Sequence, residues 1–198
     1  MKKHILMTLF GVLFNSVSRT KEKEKETRNL ERFDKVNLVG KMELHLERNS
    51  HHSMEIMTKD AYDLADLVTE VRNGELYIYH EKDFENRKTP KYIIYLNHSG
   101  ISDLTLNGII TLISGDGISQ KDLVIRGEGI LNGNLEVSVN NLSVDLQGIS
   151  NLYISGYADS SILRVAGIGM INARSLKTKI SRKVSEGIAI INQTILVR

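Results

Sequence analysis

Leu104-Thr105-Leu106-Asn107-Gly108 is a phrase that this chain says again and again. It returns as Leu123-Val124-Ile125-Arg126-Gly127, Val144-Asp145-Leu146-Gln147-Gly148 and Leu163-Arg164-Val165-Ala166-Gly167, with a weaker copy ending at Gly187. The glycines are 19, 21, 19 and 20 residues apart. Two places before the first four stand Leu106, Ile125, Leu146 and Val165, and four places after the five stand Leu112, Leu131, Leu152, Ile171 and Ile191. Apolar columns that keep phase at a period near twenty predict an all-β solenoid of about 20 residues per coil. No coil could bury its apolar face alone, so each is the floor on which the next packs.

The glycines fit corners, where the chain turns from one side of a coil to the next and a Cβ would be strained. Doubled forms stand at Gly115-Asp116-Gly117, Gly127-Glu128-Gly129 and Gly167-Ile168-Gly169. A phosphate-binding glycine loop needs a helix to follow, and no helix-forming sequence does.

With 198 residues, 15 glycines, one proline and no cysteine, the chain is one domain of β architecture without disulfides, thiolate metal sites or a lipid-anchored cysteine. Lys2, Lys3, an apolar run over 5–14 and Ser16-Val17-Ser18 form the three parts of a secretory signal, so residues 1–18 are expected to be a signal peptide. That apolar run is too short for a bilayer-spanning helix, and no transmembrane span is expected in the mature chain. Export places the protein in the periplasm, on the outer-membrane surface or outside the cell. Without residues 1–18 the net charge falls from +2 to zero, and residues 19–32 hold six basic and four acidic side chains. The remaining body is slightly acidic, so no nucleic-acid-binding face follows. The Lys-Glu alternation of 19–32 reads as a solvated, charged tether.

From Phe33 onward apolar residues alternate, predicting strands over 35–39 and 41–47 that meet at Gly40, another over 54–57, and another over 76–79 after the turn Asn73-Gly74. A helix is expected over 61–71, with Asp60 as its cap and Ala61, Leu64, Ala65, Val68 and Val71 as its apolar stripe, covering the open end of the solenoid. Residues 80–91 read as a charged loop, and 33–91 as a β-rich N-terminal cap. The repeated coils are expected over 92–198, so that 33–198 forms the domain.

Phe33-Asp34-Lys35-Val36-Asn37-Leu38-Val39-Gly40, the segment Val71-Arg72-Asn73-Gly74-Glu75-Leu76-Tyr77-Ile78 and the returning glycine corners together resemble the head GIN domain (DUF2807) family of auto-transporter adhesins, found mainly in Bacteroidetes. The resemblance covers about 31–198. It implies a right-handed parallel β-helix behind a β-rich cap and a cell-envelope or extracellular setting, and it transfers no catalytic residue. The corners Gln147-Gly148-Ile149-Ser150 and Glu186-Gly187-Ile188-Ala189 depart from the family's small-residue form by placing isoleucine beside glycine.

Candidate chemistry is sparse. Asp103 and Asp122 are expected to neighbour each other across coils, as strand-start turn residues rather than a calcium pair. Asp145 and Arg164 are expected to form an outward ion pair, with Asn107, Arg126 and Gln147 as the next polar column. His51 and His52 point apart in an extended chain and lack a third ligand. Ser114, Ser150 and Ser155 have no His-Asp partners in the pattern. No catalytic, cofactor or metal residue is assigned, and no cofactor is expected. The expected function is an exported, non-enzymatic surface module binding a glycan or protein ligand. The alternatives are a polysaccharide-active β-helix enzyme, or a structural envelope protein that self-associates through its C-terminal edge, 194–198.

Overall fold

The computed structural model describes residues 24–58, 62–81 and 91–194. The signal-peptide, charged-loop and terminal-edge expectations for 1–18, 82–90 and 195–198 lie outside the described residues.

The described chain is all-β apart from one short helix. In order come β1 (Glu24–Asn29), β2 (Lys35–Arg48), β3 (Ser53–Thr58), α1 (Tyr62–Asp66), β4 (Leu67–Arg72), β5 (Glu75–His80), β6 (Tyr92–His98), β7 (Asp103–Ser114) and β8 (Ile118–Gln193). Strand β2 bends at Gly40 without breaking, so the two strands expected over 35–39 and 41–47 are one. All of β7 pairs parallel with it, from Lys35↔Asp103 to Leu46↔Ser114. On its other side the first half of β2 pairs with β5 and the second half with β6, both in parallel. Antiparallel strands continue outward from there, β4 beyond β5 and β3 then β1 beyond β6.

The parallel stack therefore starts earlier in the chain than expected. Its first rung is β2, within the stretch read as cap, and β6 lies on the far side of β2 from the repeats. Strand β7 is the second rung, and β8 continues the series by lying on itself. A Cβ placed on Gly148 would sit 2.3 Å from the carbonyl oxygen of Gly129, and one on Gly167 would meet Gly148 at the same distance. Gly40, Gly108, Gly129, Gly148, Gly167 and Gly187 thus form one ladder, each glycine from Gly108 onward lying against the carbonyl of the glycine on the rung before.

This ladder corrects the repeat alignment at one rung. Gly108 pairs with Gly129, not with Gly127, because only the second glycine of that doublet has a positive φ, +110°. Ile125 consequently lies opposite Leu104, and Leu131 opposite Ile110, while Gly127 lies opposite Leu106. The side chains still point inward: Leu106, Ile125, Leu146 and Val165 are all buried in one continuous core. Gly127 leaves a gap that Leu146 and Leu131 fill, as a Cβ there would meet their Cδ2 atoms at 2.9 and 3.1 Å.

Two other local expectations change. Of the helix expected over 61–71, the described residues hold only Tyr62–Asp66, Asp60 and Ala61 lying outside them, and Leu67–Arg72 is strand, because Val68, Thr69 and Val71 are β-branched and pair antiparallel with β5 across the Asn73-Gly74 turn. Within the expected tether, Glu24–Asn29 is strand β1. Arg28 holds it in place. Its Nη1 donates to Leu67 O at 2.6 Å and to Thr69 Oγ1 at 2.9 Å, its Nη2 to Leu64 O at 2.8 Å and its Nε to Glu26 Oε1 at 2.7 Å. One guanidinium so ties the edge strand β1 to α1 and the other edge strand, β4.

Two stability outcomes follow from this geometry. Gly148→Ala should lower unfolding free energy by at least ~2 kcal/mol, since the backbone has φ +107° and the carbonyl leaves no room. Gly115→Ala, whose Cβ would meet Leu46 O at 3.8 Å, should be close to neutral, and urea titrations of both compare them directly. Arg28→Ala should cost about 2 kcal/mol by the same measurement, and Arg28→Lys should not restore it because an ammonium cannot reproduce the fork.

Candidate binding face

Each rung bends at its ladder glycine, and the strand that leaves the bend sends alternate side chains outward. At the first position after the glycine stand Ile109, Ile130, Ile149, Ile168 and Ile188. At the third stand Thr111, Asn132, Asn151, Met170 and Ile190, and at the fifth Ile113, Asn134, Tyr153, Asn172 and Asn192. All fifteen are exposed or half-buried, while residues between them, such as Ile110, Leu112, Leu152 and Ile171, are in the core.

None of the fifteen carries a charge. Surfaces are about 25–35% charged, so roughly four charges would be expected by chance. The preceding side of the same rungs shows the ordinary composition, with Arg126, Glu128, Asp145, Arg164, Arg182 and Glu186 pointing outward. With rungs ~4.8 Å apart and ~3.3 Å per residue, the uncharged face measures about 19 by 13 Å between its outermost backbone positions. Along one border runs the isoleucine ridge, in which Ile109, Ile149, Ile168 and Ile188 are 47, 51, 55 and 78% exposed.

The face ends at the first rung, where the matching residues are Lys41, Glu43 and His45. There Glu43 accepts bonds from Lys91 at 2.9 Å and pairs with His45 at 3.0 Å, and His45 stacks on Tyr95 with centroids 4.4 Å apart. The Lys91 bond first and the His45 bond second hold the Glu43 carboxyl below its usual pKa.

The opposite border is a groove of ≈ 400 Å³ lined by Ser114, Asn134, Leu135, Glu136, Tyr153, Ile154, Ser155, Asn172, Arg174 and Ser175. A shallower depression of ≈ 340 Å³ lies on the charged side and includes Asp145, Gln147, Arg164, Arg182 and Glu186.

The residues singled out from sequence fall elsewhere. Asp103 and Asp122 do not meet, because the corrected register places Asp103 opposite Val124. Asp103 instead takes the Arg126 guanidinium at 2.8 Å, and Asp122 accepts from Asn141 at 2.6 Å. Asp145 and Arg164 line one depression, but no ion pair joins them among the described residues. The polar column runs Asn107, Glu128, Gln147, since Arg126 lies opposite Thr105. His52 receives the Phe33 amide on Nδ1 at 3.4 Å and packs edge-on against the Phe33 ring, while its Nε2 is 2.9 Å from Ser99 Oγ. Ser150 is 2% exposed and Ser155 opens into the groove. Among the described residues, no three His, Cys, Asp or Glu converge on a metal position.

The sequence signal for the face is the isoleucine after each ladder glycine. Aligning on Gly127 in place of Gly129 hid its continuity.

The family model described as "Putative auto-transporter adhesin, head GIN domain" matches residues 32–192. The chain belongs to the head GIN domain family. Three solved structures share the GIN fold. A "putative adhesin" of Bacteroides fragilis superposes with a TM-score of 0.74 at 15% identity, covering 88% of this chain and 98% of that one. A "putative lipid binding protein" of Parabacteroides distasonis gives 0.62 at 19% identity, covering 88% and 98%. A "putative adhesin" of Parabacteroides merdae gives 0.56 at 14%, covering 89% and 94%. No curated protein matches this GIN domain in sequence. Among the described residues, no helix is long and apolar enough to cross a membrane.

His98 supplies a pH signature of the fold. It is 2% exposed at the end of β6, and burial, aided by nearby His52 and Arg48 and opposed by Asp116, lowers its pKa from 6.5 to about 4. Between those values the unfolded chain binds the extra proton, so stability is full above about 6.5 and declines as pH falls toward 4. The decline should total about 3 kcal/mol, read as urea midpoints across that range, and His98→Asn should flatten it.

Proposed function

We propose that this GIN domain is an exported, non-enzymatic adhesive module, its parallel stack a right-handed β-helix, and that the uncharged face is the surface that meets its ligand. The single observation carrying this reading is fifteen outward positions without a charge on a chain that is 25% charged. A solenoid repeats one side-chain choice at each rung, so a flat array of amides and isoleucine methyls presents many equal, individually weak contacts. Such an array suits a glycan or protein surface. Several acids and bases outside it engage local partners, as in Asp103 with Arg126 and Asp159 with Lys179, and among the described residues no three His, Cys, Asp or Glu converge, which supports binding over acid–base chemistry. Family membership and fold neighbours described as adhesins point the same way.

Residues 1–18 act in this reading as the export signal, and the domain extends from β1 to the end of the stack. Fractionated cells should yield a mature protein lacking about those residues in the periplasm, on the outer surface or in the medium.

A specific observation favours self-association as a second reading. Ile180, Ile188 and Ile190, at 69, 78 and 60% exposure, are the three most exposed large apolar residues described, and all lie on the last rung. Light scattering at rising concentration should show a mass above the monomer that Ile190→Lys abolishes.

For the adhesive face, beads coated with the protein should be retained on polysaccharide-coated or protein-coated glass. The double variant Ile149→Lys, Ile168→Lys should cut retention about tenfold, with an unchanged melting temperature because both side chains lie outside the core. Equal retention of the two proteins would remove this reading.

A further inference from the structure

We propose that the groove beside the uncharged face is a subsite for a neutral sugar ring, with Tyr153 as its stacking platform. The proposal rests on the reading of that face as a ligand surface and names the ligand class.

Tyr153 is 43% exposed, and its ring sits in the ≈ 400 Å³ groove with Asn134 one rung before it and Asn172 one rung after. The two amides are therefore about 9.6 Å apart at the backbone, astride the ring. Glu136, Ser155 and Arg174 hold the corresponding places two residues further on, across the groove. An aromatic face carries negative charge density, which attracts the polarised C–H groups on the apolar face of a pyranose. Amide, hydroxyl, carboxylate and guanidinium groups around the ring offer both donors and acceptors, the set that adjacent sugar hydroxyls need. Glu136 and Arg174 cancel in charge, so the groove offers an acidic sugar no net attraction, and the proposed ligand is neutral.

A second observation separates this groove from an ordinary polar corner. At the next corner of the same rungs the polar side chains satisfy one another: Asn141 donates to Asp122 at 2.6 Å, and Ser160 donates to Asn141 at 2.7 Å. In the groove, among the described residues, the side chains of Asn134, Tyr153, Glu136 and Arg174 engage no hydrogen-bond partner. Asn172 Oδ1 takes only the Arg174 amide, at 3.4 Å. Polar groups gathered in a concavity and left free of internal bonds have their bonding capacity available to a ligand.

The test uses the purified protein with cellotetraose, mannotetraose and xylotetraose as neutral probes and tetragalacturonate as the acidic one, read by saturation-transfer NMR and calorimetry. At least one neutral probe should bind at millimolar or lower concentration. Tyr153→Ala should weaken it about tenfold, the size of one aromatic stacking contact. Tyr153→Phe, which keeps the ring, should bind within about twofold of the parent, and unchanged melting of both variants shows that the fold is intact. Absence of binding to all three neutral probes, preference for tetragalacturonate, or binding indifferent to Tyr153→Ala overturns the proposal. If beads still adhere through Ile149 and Ile168 while the sugars fail, the sugar subsite falls and the adhesive face stands. If neither occurs, both fall.

Discussion

Everything in this molecule depends on the distance between a glycine and the carbonyl of the rung before it. At the ladder corner a Cβ would come within 2.2–2.6 Å of that oxygen from Gly108 through Gly187, a separation no side chain tolerates. The close approach lets the backbone bend there while remaining hydrogen-bonded to its neighbours, so one strand can serve two sides of the stack. Because every rung bends at the same place, residues on both flanks are locked in phase. The apolar columns, the charged side and the uncharged face are consequences of that lock.

The N-terminal end solves a different problem. A parallel stack must begin somewhere, and its first edge would expose a row of unpaired backbone groups. Here the two halves of β2 are covered separately, by β5 and β4 on one side of the Gly40 bend and by β6, β3 and β1 on the other. Antiparallel hairpins need only short turns, so they add cover without another full rung. Arg28 then joins the two outermost strands through carbonyl and hydroxyl bonds. Residues that look from sequence like a solvated charge run thereby become part of the end cover.

Much of this was legible in the sequence, and the failures have physical causes. The repeat period and the inward columns were readable because burial selects apolar side chains at every rung, as at Leu106, Leu146 and Val165. The phase of one rung was not, because Gly127-Glu128-Gly129 offers two glycines and sequence does not show which has a positive φ. Residues 67–72 satisfied a helical stripe as well as a strand, and pairing with β5 decided between them. Glu24–Asn29 contains no apolar residue, and a strand without apolar alternation gives no burial signal. The uncharged face was hidden by the phase error alone: once Gly129 replaces Gly127, isoleucine follows every ladder glycine from Gly108 to Gly187.

An uncharged, regular β surface is a hazard that β proteins ordinarily suppress. Charges on outward positions prevent one flat sheet from adhering to another, and the preceding side of these same rungs has them. The stacked rungs had comparable opportunity to place Lys or Glu after their corners, since outward positions on both sides are exposed or half-buried. At the first rung they do, with Lys41, Glu43 and His45, where Lys91 pairs with Glu43 and Tyr95 stacks on His45. Beyond that rung the charges stop for the whole remaining length of the face while the opposite flank keeps its own. Cross-strand packing of isoleucine contributes to the stack on this face, but it does not require that every one of the fifteen positions lack a charge. Under the proposed adhesive role the pattern has a physical reason: each charge added there would have to be stripped of water on contact, and an array of isoleucine and asparagine avoids that cost while keeping hydrogen bonds available.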